Sequence, residues 1–237
     1  MKRLGMLTPS SNTVLEPMTS AIMATQPNIS VHFSRLRVTE ISVEAKALAQ
    51  FHGTPMLEAA ALLADARPNA IIWNGTSGGW TGLDADRGLV AILEERLQVP
   101  VSTVTLALVD LLKRLGIQRI AFVTPYTSDV QARIVETFRR EGFSCVSAPH
   151  LGISENFAFC AVSTEELDML VENAAASLPE VIIPYCTNLP ATRHAMRWEA
   201  QYGIPVFDSV AIAARAALEL SGLSPKIITD WGSIFGL

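Results

Sequence analysis

The chain has 237 residues, of which 49% are hydrophobic and 17% charged, and its formal net charge is −5. This composition excludes intrinsic disorder and supplies enough apolar side chains for one large core or two smaller ones. The acidic balance and the lack of basic blocks argue against a nucleic-acid partner. No apolar run approaches the roughly 18 residues that a membrane span requires, so we expect no membrane partner either.

The cysteines lie in unrelated sequence contexts, at Cys145, Cys160 and Cys186. Their odd number and the absence of CxxC spacing favour free thiols over a disulfide framework, and we expect no metal site. The first residues pass directly into a strand pattern without the apolar region of a signal peptide. These observations predict a cytoplasmic protein.

Strand and helix patterns alternate along the whole chain. The predicted strands are Leu4–Thr8, Ile29–Arg35, Ala70–Asn74, Val101, Arg119–Thr124, Ser144–His150, Val181–Tyr185 and Val206. The predicted helices are Thr54–Ala66, Asp84–Leu97, Thr105–Leu115, Ser128–Glu141, Thr164–Ser177, Ala191–Tyr202 and Val210–Leu220. Such alternation predicts an α/β fold whose parallel sheets are covered by helices.

The second half of the chain repeats the pattern of the first. Matching strand ends are Leu7-Thr8-Pro9 with Val123-Thr124-Pro125, Ile71-Ile72 with Ile182-Ile183, and Val99-Pro100-Val101 with Ile204-Pro205-Val206. The repeat predicts two similar lobes related by a pseudo-twofold axis, each with a four-stranded parallel sheet. We place the first lobe at residues 1–115 with 208–237 and the second at 116–207. Equivalent strand ends would then meet in one cleft, where the active site is expected.

The third strand end of the second half carries the strongest catalytic candidate. Cys186 follows the apolar run Val181–Tyr185 and precedes Thr187-Asn188 and a helix pattern. A helix amino terminus favours thiolate, so this position predicts an acid–base cysteine with an activated sulfur. A small buried hydrophobic residue is the alternative reading. Cys145 and Cys160 lack this context and are predicted to be inert.

The strand ends of the first half offer neutral hydrogen-bond donors. Ser10, Ser11, Asn12 and Thr13 follow the first strand; these residue types also form ordinary helix caps, and Asn12 is the preferred ligand contact. The glycine-rich stretch Asn74–Gly79 can bring backbone N–H groups close to an anion, although a plain loop is the alternative. The absence of a Walker lysine and of GxGxxG leaves a nucleotide site unsupported.

Two further candidates lie in the second half. Tyr126 could donate its phenol to an oxyanion, or could be a half-buried tyrosine at a helix start. Asn156 lies in a loop before a helix that Ser163 should cap, with Glu166 as its capping-box partner. The histidines lack evident carboxylate partners and are interpreted as structural, namely His32, His52, His150 and His194.

Taken together, these motifs resemble the aspartate/glutamate racemase superfamily, in the branch of maleate cis-trans isomerases and arylmalonate decarboxylases. The resemblance covers essentially the whole chain and rests on Pro9–Thr13, Thr124–Tyr126, the Asn156 loop and Cys186–Asn188. It implies two flavodoxin-like lobes, no cofactor, and a homo-oligomer acting on a small dicarboxylate. It assigns catalysis to Cys186 and substrate binding to a set of polar residues, namely Ser10, Asn12, Gly75, Thr76, Ser77, Tyr126, Asn156, Thr187 and Asn188.

The chain departs from this family pattern at Gly75. Racemases and maleate isomerases of the superfamily place a second cysteine there, whereas Gly75-Thr76-Ser77 is similar to arylmalonate decarboxylases. Glycine supplies neither a base nor a nucleophile, which disfavours two-base racemisation and covalent isomerisation. We therefore predict a malonate-type decarboxylase with one proton donor and an apolar pocket for the departing carboxylate, lined by Trp73, Trp80, Phe157 or Phe159. The alternatives are a maleate isomerase or racemase and a non-catalytic binding protein.

Overall fold

The computed structural model describes residues 1–44 and 54–237; His52 lies outside these ranges. The strands are β1 (Lys2–Pro9), β2 (Ile29–Leu36), β3 (Ala70–Trp73), β4 (Val101–Thr103), β5 (Arg119–Val123), β6 (Ser144–Ser147) and β7 (Val181–Pro184). The α-helices are α1 (Leu15–Met23), α2 (Thr54–Ala64), α3 (Gly78–Thr81), α4 (Leu83–Leu97), α5 (Val104–Leu115), α6 (Ser128–Arg140), α7 (Thr164–Ala175), α8 (Ala195–Tyr202) and α9 (Ser209–Leu220).

The strands form two separate parallel sheets, in the orders β2-β1-β3-β4 and β6-β5-β7. The predicted parallel α/β fold is confirmed. The fourth strand of the second sheet is reduced to one bridge between Ile182 and Val206. It is short because Asp208 already caps the next helix, so that only the Pro205 carbonyl and the Phe207 N–H pair with Ile182.

Strands β3 and β7 are buried along their whole length because helices cover both faces of each sheet. Helix α9 lies against α1, α5 and β3, although it follows the second sheet in the chain. The grouping of residues 208–237 with the first lobe and the boundaries of both lobes stay predictions. In the described residues, none of the helices combines the length and apolarity that crossing a bilayer would demand.

Local signals explain most helix ends. Thr103 caps α5 by accepting from the Leu106 N–H at 3.1 Å, and Gly116 ends the same helix in a left-handed conformation. The predicted capping box of Ser163 and Glu166 at α7 is confirmed. The predicted helix Ala191–Tyr202 instead begins as a 3₁₀ turn at Thr192–His194 and becomes regular at Ala195.

Candidate active site

The carboxyl ends of both sheets meet and are joined by buried hydrogen bonds. Thr76 after β3 and Tyr126 after β5 bring their hydroxyl oxygens to 2.6 Å. Asn12 after β1 donates its amide to the Thr187 hydroxyl after β7, at 3.0 Å. The side chains of these four residues are almost fully buried. The strand ends singled out by the sequence repeat therefore form one polar cluster inside the molecule.

Cys186 lies at the centre of this cluster. Its sulfur receives hydrogen bonds from the Tyr126 phenol and from the backbone N–H groups of Asn188 and Leu189. The residue is only 2% exposed. Three donors converging on one buried sulfur can hold a transient thiolate, as an acid–base cysteine requires.

The prediction that a helix amino terminus favours the Cys186 thiolate is wrong. Burial raises the pKa of this thiol to about 12, and the hydrogen bonds from Tyr126, Asn188 and Leu189 oppose the shift only in part. The physical reason is that Cys186 is followed by a turn and a 3₁₀ segment, so that regular helix begins only at Ala195. The resting group is a neutral thiol, which is a proton donor and a poor nucleophile.

Tyr126 connects the thiol to the first sheet. Its ring packs edge-on against Trp80 and Phe159, with centroids 5.2 and 5.4 Å away. Burial raises the pKa of the phenol well above its usual value, and the neighbouring Cys186 sulfur adds to the shift. Tyr126 therefore remains neutral, which is the form that can donate a hydrogen bond.

A second chain of hydrogen bonds runs beside the first. The Thr187 hydroxyl donates to the Asn74 carbonyl at 2.7 Å and accepts from Asn12. The Asn12 side-chain oxygen in turn accepts from the Val14 and Leu15 N–H groups, at 3.0 and 2.9 Å. Asn12 thus accepts from N–H groups at the start of α1 and reaches across to the second sheet with the same side-chain amide, and its role as a ligand contact stays a prediction.

The Asn156 loop is tied to the same place by Asn188. Asn188 donates to the Asn156 carbonyl at 2.6 Å and accepts from the Thr13 N–H at 2.9 Å. The Asn156 amide donates to the Ser11 hydroxyl at 2.7 Å. Asn156 and Asn188 are both buried, so they fix the loop geometry around the thiol.

The remaining predicted site residues differ in what their side chains contact. The Ser10 hydroxyl accepts from the Val38 N–H at 3.2 Å and so serves a neighbouring loop. Ser77 is buried, and its backbone carbonyl accepts from the Thr81 hydroxyl at 2.9 Å. Gly75 lies directly against the Trp73 indole. The substrate-binding roles of all three stay predictions.

The aromatic residues expected to form an apolar wall divide into two groups. Trp73, Trp80 and Phe159 are buried, and the last two contact Tyr126. The expectation for Phe157 is wrong, because its side chain is 55% exposed at the start of the 3₁₀ helix Phe157–Ala161.

Two buried carboxyl groups near the site were not predicted from the sequence. Asp208 accepts from Thr192 at 2.8 Å and caps α9, and burial raises its pKa to about 6. Asp86 accepts from the Thr103 hydroxyl at 2.5 Å, and burial raises its pKa to about 7. Asp208 could have been found as a cap between Phe207 and an apolar helix. Asp86 could not, since it looks like an ordinary acidic residue in a first helical turn.

The other thiols bond within their own elements. Cys145 donates to the Ser147 carbonyl and Cys160 to the Phe157 carbonyl. In the ranges 1–44 and 54–237, histidine, cysteine and acidic side chains nowhere come together in a group of three that could hold a metal ion. The donors found around Cys186 are instead hydroxyls, amides and N–H groups, which suit a carboxylate ligand.

Fold and site together define an α/β protein with two parallel sheets and a buried thiol where their carboxyl ends meet. The family model described as arylmalonate decarboxylase matches residues 4–231. The chain therefore belongs to the arylmalonate decarboxylase family, in the branch of the aspartate/glutamate racemase superfamily that also holds the maleate isomerases.

Three comparisons illustrate this placement. The maleate isomerase of Alcaligenes faecalis is 24% identical over 95% of this chain and 93% of its own length. The arylmalonate decarboxylase of Bordetella bronchiseptica is 26% identical over 66% of each chain. A mutant of the Nocardia farcinica maleate cis-trans isomerase, solved with a covalently bound succinylcysteine intermediate, superposes with a TM-score of 0.88, 23% identity and coverage of 99% of this chain and 98% of that chain. These relatives are enzymes of both activities.

Proposed function

We propose that the protein is a cofactor-independent decarboxylase of a malonate-type diacid, with Cys186 as its single proton donor. The observation that carries this proposal is that the Cys186 thiol is protonated and has no second cysteine beside it in the strand-end cluster. Of the three cysteines, only Cys186 bonds into the strand-end cluster, and burial keeps it protonated. A protonated thiol suits an acid and not a nucleophile, which favours decarboxylation over covalent isomerisation.

The proposed reaction begins with a diacid whose retained carboxylate accepts hydrogen bonds from the Thr76, Ser77 and Tyr126 hydroxyls. The single phenol proton of Tyr126 turns from the Cys186 sulfur to the carboxylate when the substrate binds. The carbon–carbon bond to the other carboxylate breaks, CO2 leaves, and the bonding electron pair enters the retained carboxylate as an enediolate. Neutral donors stabilise that charge in a buried site without a counter-ion. Trp80 and Phe159 provide the apolar surface that favours release of the uncharged product CO2.

Cys186 then transfers its S–H proton to the α-carbon. The resulting thiolate is held by the Tyr126 phenol and the N–H groups of Asn188 and Leu189 until a proton from solvent restores the thiol. Because one donor approaches from one side, a disubstituted malonate should give one enantiomer of the product.

The direct experiment incubates the purified protein with phenylmalonate and follows substrate and product by proton NMR. Conversion to phenylacetate supports the proposal. Unchanged phenylmalonate and 2-methyl-2-phenylmalonate, together with conversion of maleate to fumarate, would contradict it.

Maleate isomerisation is the second candidate, because a relative named maleate isomerase matches nearly the whole chain. That reaction would have to proceed with Cys186 alone as the thiol of the cluster. Tight dicarboxylate binding without turnover of any of these compounds would instead support a binding protein. The homo-oligomeric state implied by the resemblance and the cytoplasmic location predicted from the sequence both stay predictions.

A further inference from the structure

Position 75 has no room for a side chain, because an indole ring fills the space beside it. A Cβ built on Gly75 would lie 2.1 Å from Cζ2 and 2.4 Å from Cε2 of Trp73. Carbon atoms in contact are normally about 3.5–4.0 Å apart. The obstacle is therefore the Trp73 ring itself.

Trp73 cannot easily move away. It ends β3, where its backbone pairs with Leu7 on one side and Thr103 on the other. Its side chain is 1% exposed within the core. Alternate residues of an extended chain point to the same side, which is why the ring of residue 73 competes with residue 75 for one volume.

In the second half of the chain, the position equivalent to Gly75 does have room for a side chain. The repeat aligns Trp73 with Pro184 and Gly75 with Cys186. Pro184 is compact and leaves space two residues later, so Cys186 can place its sulfur in the polar cluster. The two pairs are thus complementary in volume. The large indole of Trp73 is paired with Gly75, which has no side chain, and the small ring of Pro184 is paired with Cys186, which carries a thiol.

We infer that Trp73 is the specificity-determining residue that restricts acid–base chemistry to one thiol, because its indole excludes any reactive side chain at position 75. This inference rests on the proposed function for its catalytic consequence, but the exclusion itself can be measured without substrate. The inference makes a prediction for the substitution Gly75→Cys. That substitution alone should not create a two-thiol site, whereas Trp73→Val/Gly75→Cys should.

The first arm of the test measures stability. Gly75→Cys should lower the melting temperature by roughly 5–10 °C through overpacking. The same exchange made in a Trp73→Val background should lower it by less than about 2 °C. Gly88→Cys is the matched control, because a Cβ at that helical glycine meets nothing within 4 Å. An equal loss at position 75 in both backgrounds would overturn the inference whatever the enzyme's activity.

The second arm measures proton transfer. Each variant is incubated in D2O with one enantiomer of 2-phenylpropanoate, and deuterium uptake and optical purity are followed. In the double variant, the thiolate introduced at position 75 removes the α-proton and Cys186 returns a deuteron, so that racemisation is at least about tenfold faster than in Gly75→Cys. Equal racemisation by Gly75→Cys alone would overturn the inference. Failure of the wild-type protein to decarboxylate phenylmalonate would count only against the proposed function.

Discussion

The two third-strand ends of this protein have the same origin in the repeat but opposite contents. After β3, the indole of Trp73 covers Gly75, and the neighbouring Thr76 and Ser77 offer only neutral hydroxyls. After β7, Pro184 leaves room for Cys186, whose sulfur is surrounded by three donors. One end is suited to holding a carboxylate and the other to delivering a proton. In a duplicated fold, the two halves can therefore acquire different chemical roles when the sizes of two side chains, two positions apart, are changed together.

Among the changes that test this difference between the two strand ends, removing the Cys186 thiol should have the largest effect on kcat. Cys186→Ala deletes the proposed proton donor, so kcat for phenylmalonate should fall by about 10³-fold or more. Circular dichroism and the melting temperature verify that the variant is folded. Cys145→Ala and Cys160→Ala are matched controls and should keep wild-type kcat, since their thiols bond within their own elements. Undiminished turnover by Cys186→Ala would refute its role.

Breaking the link between the two ends should have the next largest effect. Tyr126→Phe removes the hydroxyl that joins Thr76 to the Cys186 sulfur but keeps the ring between Trp80 and Phe159. We expect kcat to fall about 10²-fold with a smaller change in KM, because the hydroxyl acts mainly on developing charge. The exposed phenol of Tyr202 provides the control, and Tyr202→Phe should leave both constants unchanged. A Tyr126→Phe variant with wild-type kcat would contradict the link.

The buried carboxyl group of Asp86 makes the stability of the protein depend on pH. The folded-state pKa of Asp86 is about 7 and its ordinary value 3.8, so between these values the unfolded chain has lost a proton that the folded chain keeps. Stability contributed by this group therefore falls as pH rises from 4 to 7. Asp86→Asn removes the penalty, and its free energy of unfolding relative to wild type should improve by about 3 kcal/mol between pH 5 and pH 8.

Urea denaturation at the two pH values measures the effect of Asp86→Asn. The matched control is Asp84→Asn, two residues earlier, where the carboxylate side chain is 98% exposed. The control should show no comparable pH-dependent gain. A difference of similar size for both variants would mean that burial of Asp86 is not its cause.

The smallest predicted effect concerns the buried hydrogen bond between Thr192 and Asp208. Thr192→Val removes one donor to Asp208, which still accepts from the Val210 and Ala211 N–H groups. The free energy of unfolding should decrease by about 1 kcal/mol, as for loss of one buried hydrogen bond. Chemical denaturation checks the value, and the exposed hydroxyl of Thr25 provides a control through Thr25→Val. A loss above about 3 kcal/mol would show that Thr192 holds more than this carboxylate.

Much of the fold could be predicted from periodicity, and the limits have physical reasons. The alternating patterns located every strand and most helices, because buried parallel strands form continuous apolar runs. Helix α1 was missed since Pro17 and the hydroxyl residues Thr19 and Ser20 weaken its pattern. The fourth strand of the second sheet was overestimated, because a single bridge at Val206 cannot be distinguished by sequence from a short strand.

The site was harder to predict than the fold. Position after the strands led to the prediction that Cys186, Tyr126 and Asn12 lie close together, since strand ends of one sheet share an edge and the repeat places the edges of the two sheets in one cleft. The protonation state of Cys186 was predicted with the wrong sign, because desolvation depends on packing around the sulfur and not on the residues that follow it. The contact between Trp73 and Gly75 is likewise invisible in sequence, as it depends on a side-chain rotamer.

The central claim is that one thiol protonates one face of the substrate, and the most direct measurement is decarboxylation of 2-methyl-2-phenylmalonate in D2O. NMR of the product should show one deuterium on the α-carbon, and chiral chromatography should show a single enantiomer of 2-phenylpropanoate. Racemic product formed by the wild-type protein would contradict the account, because it would require proton delivery from both faces.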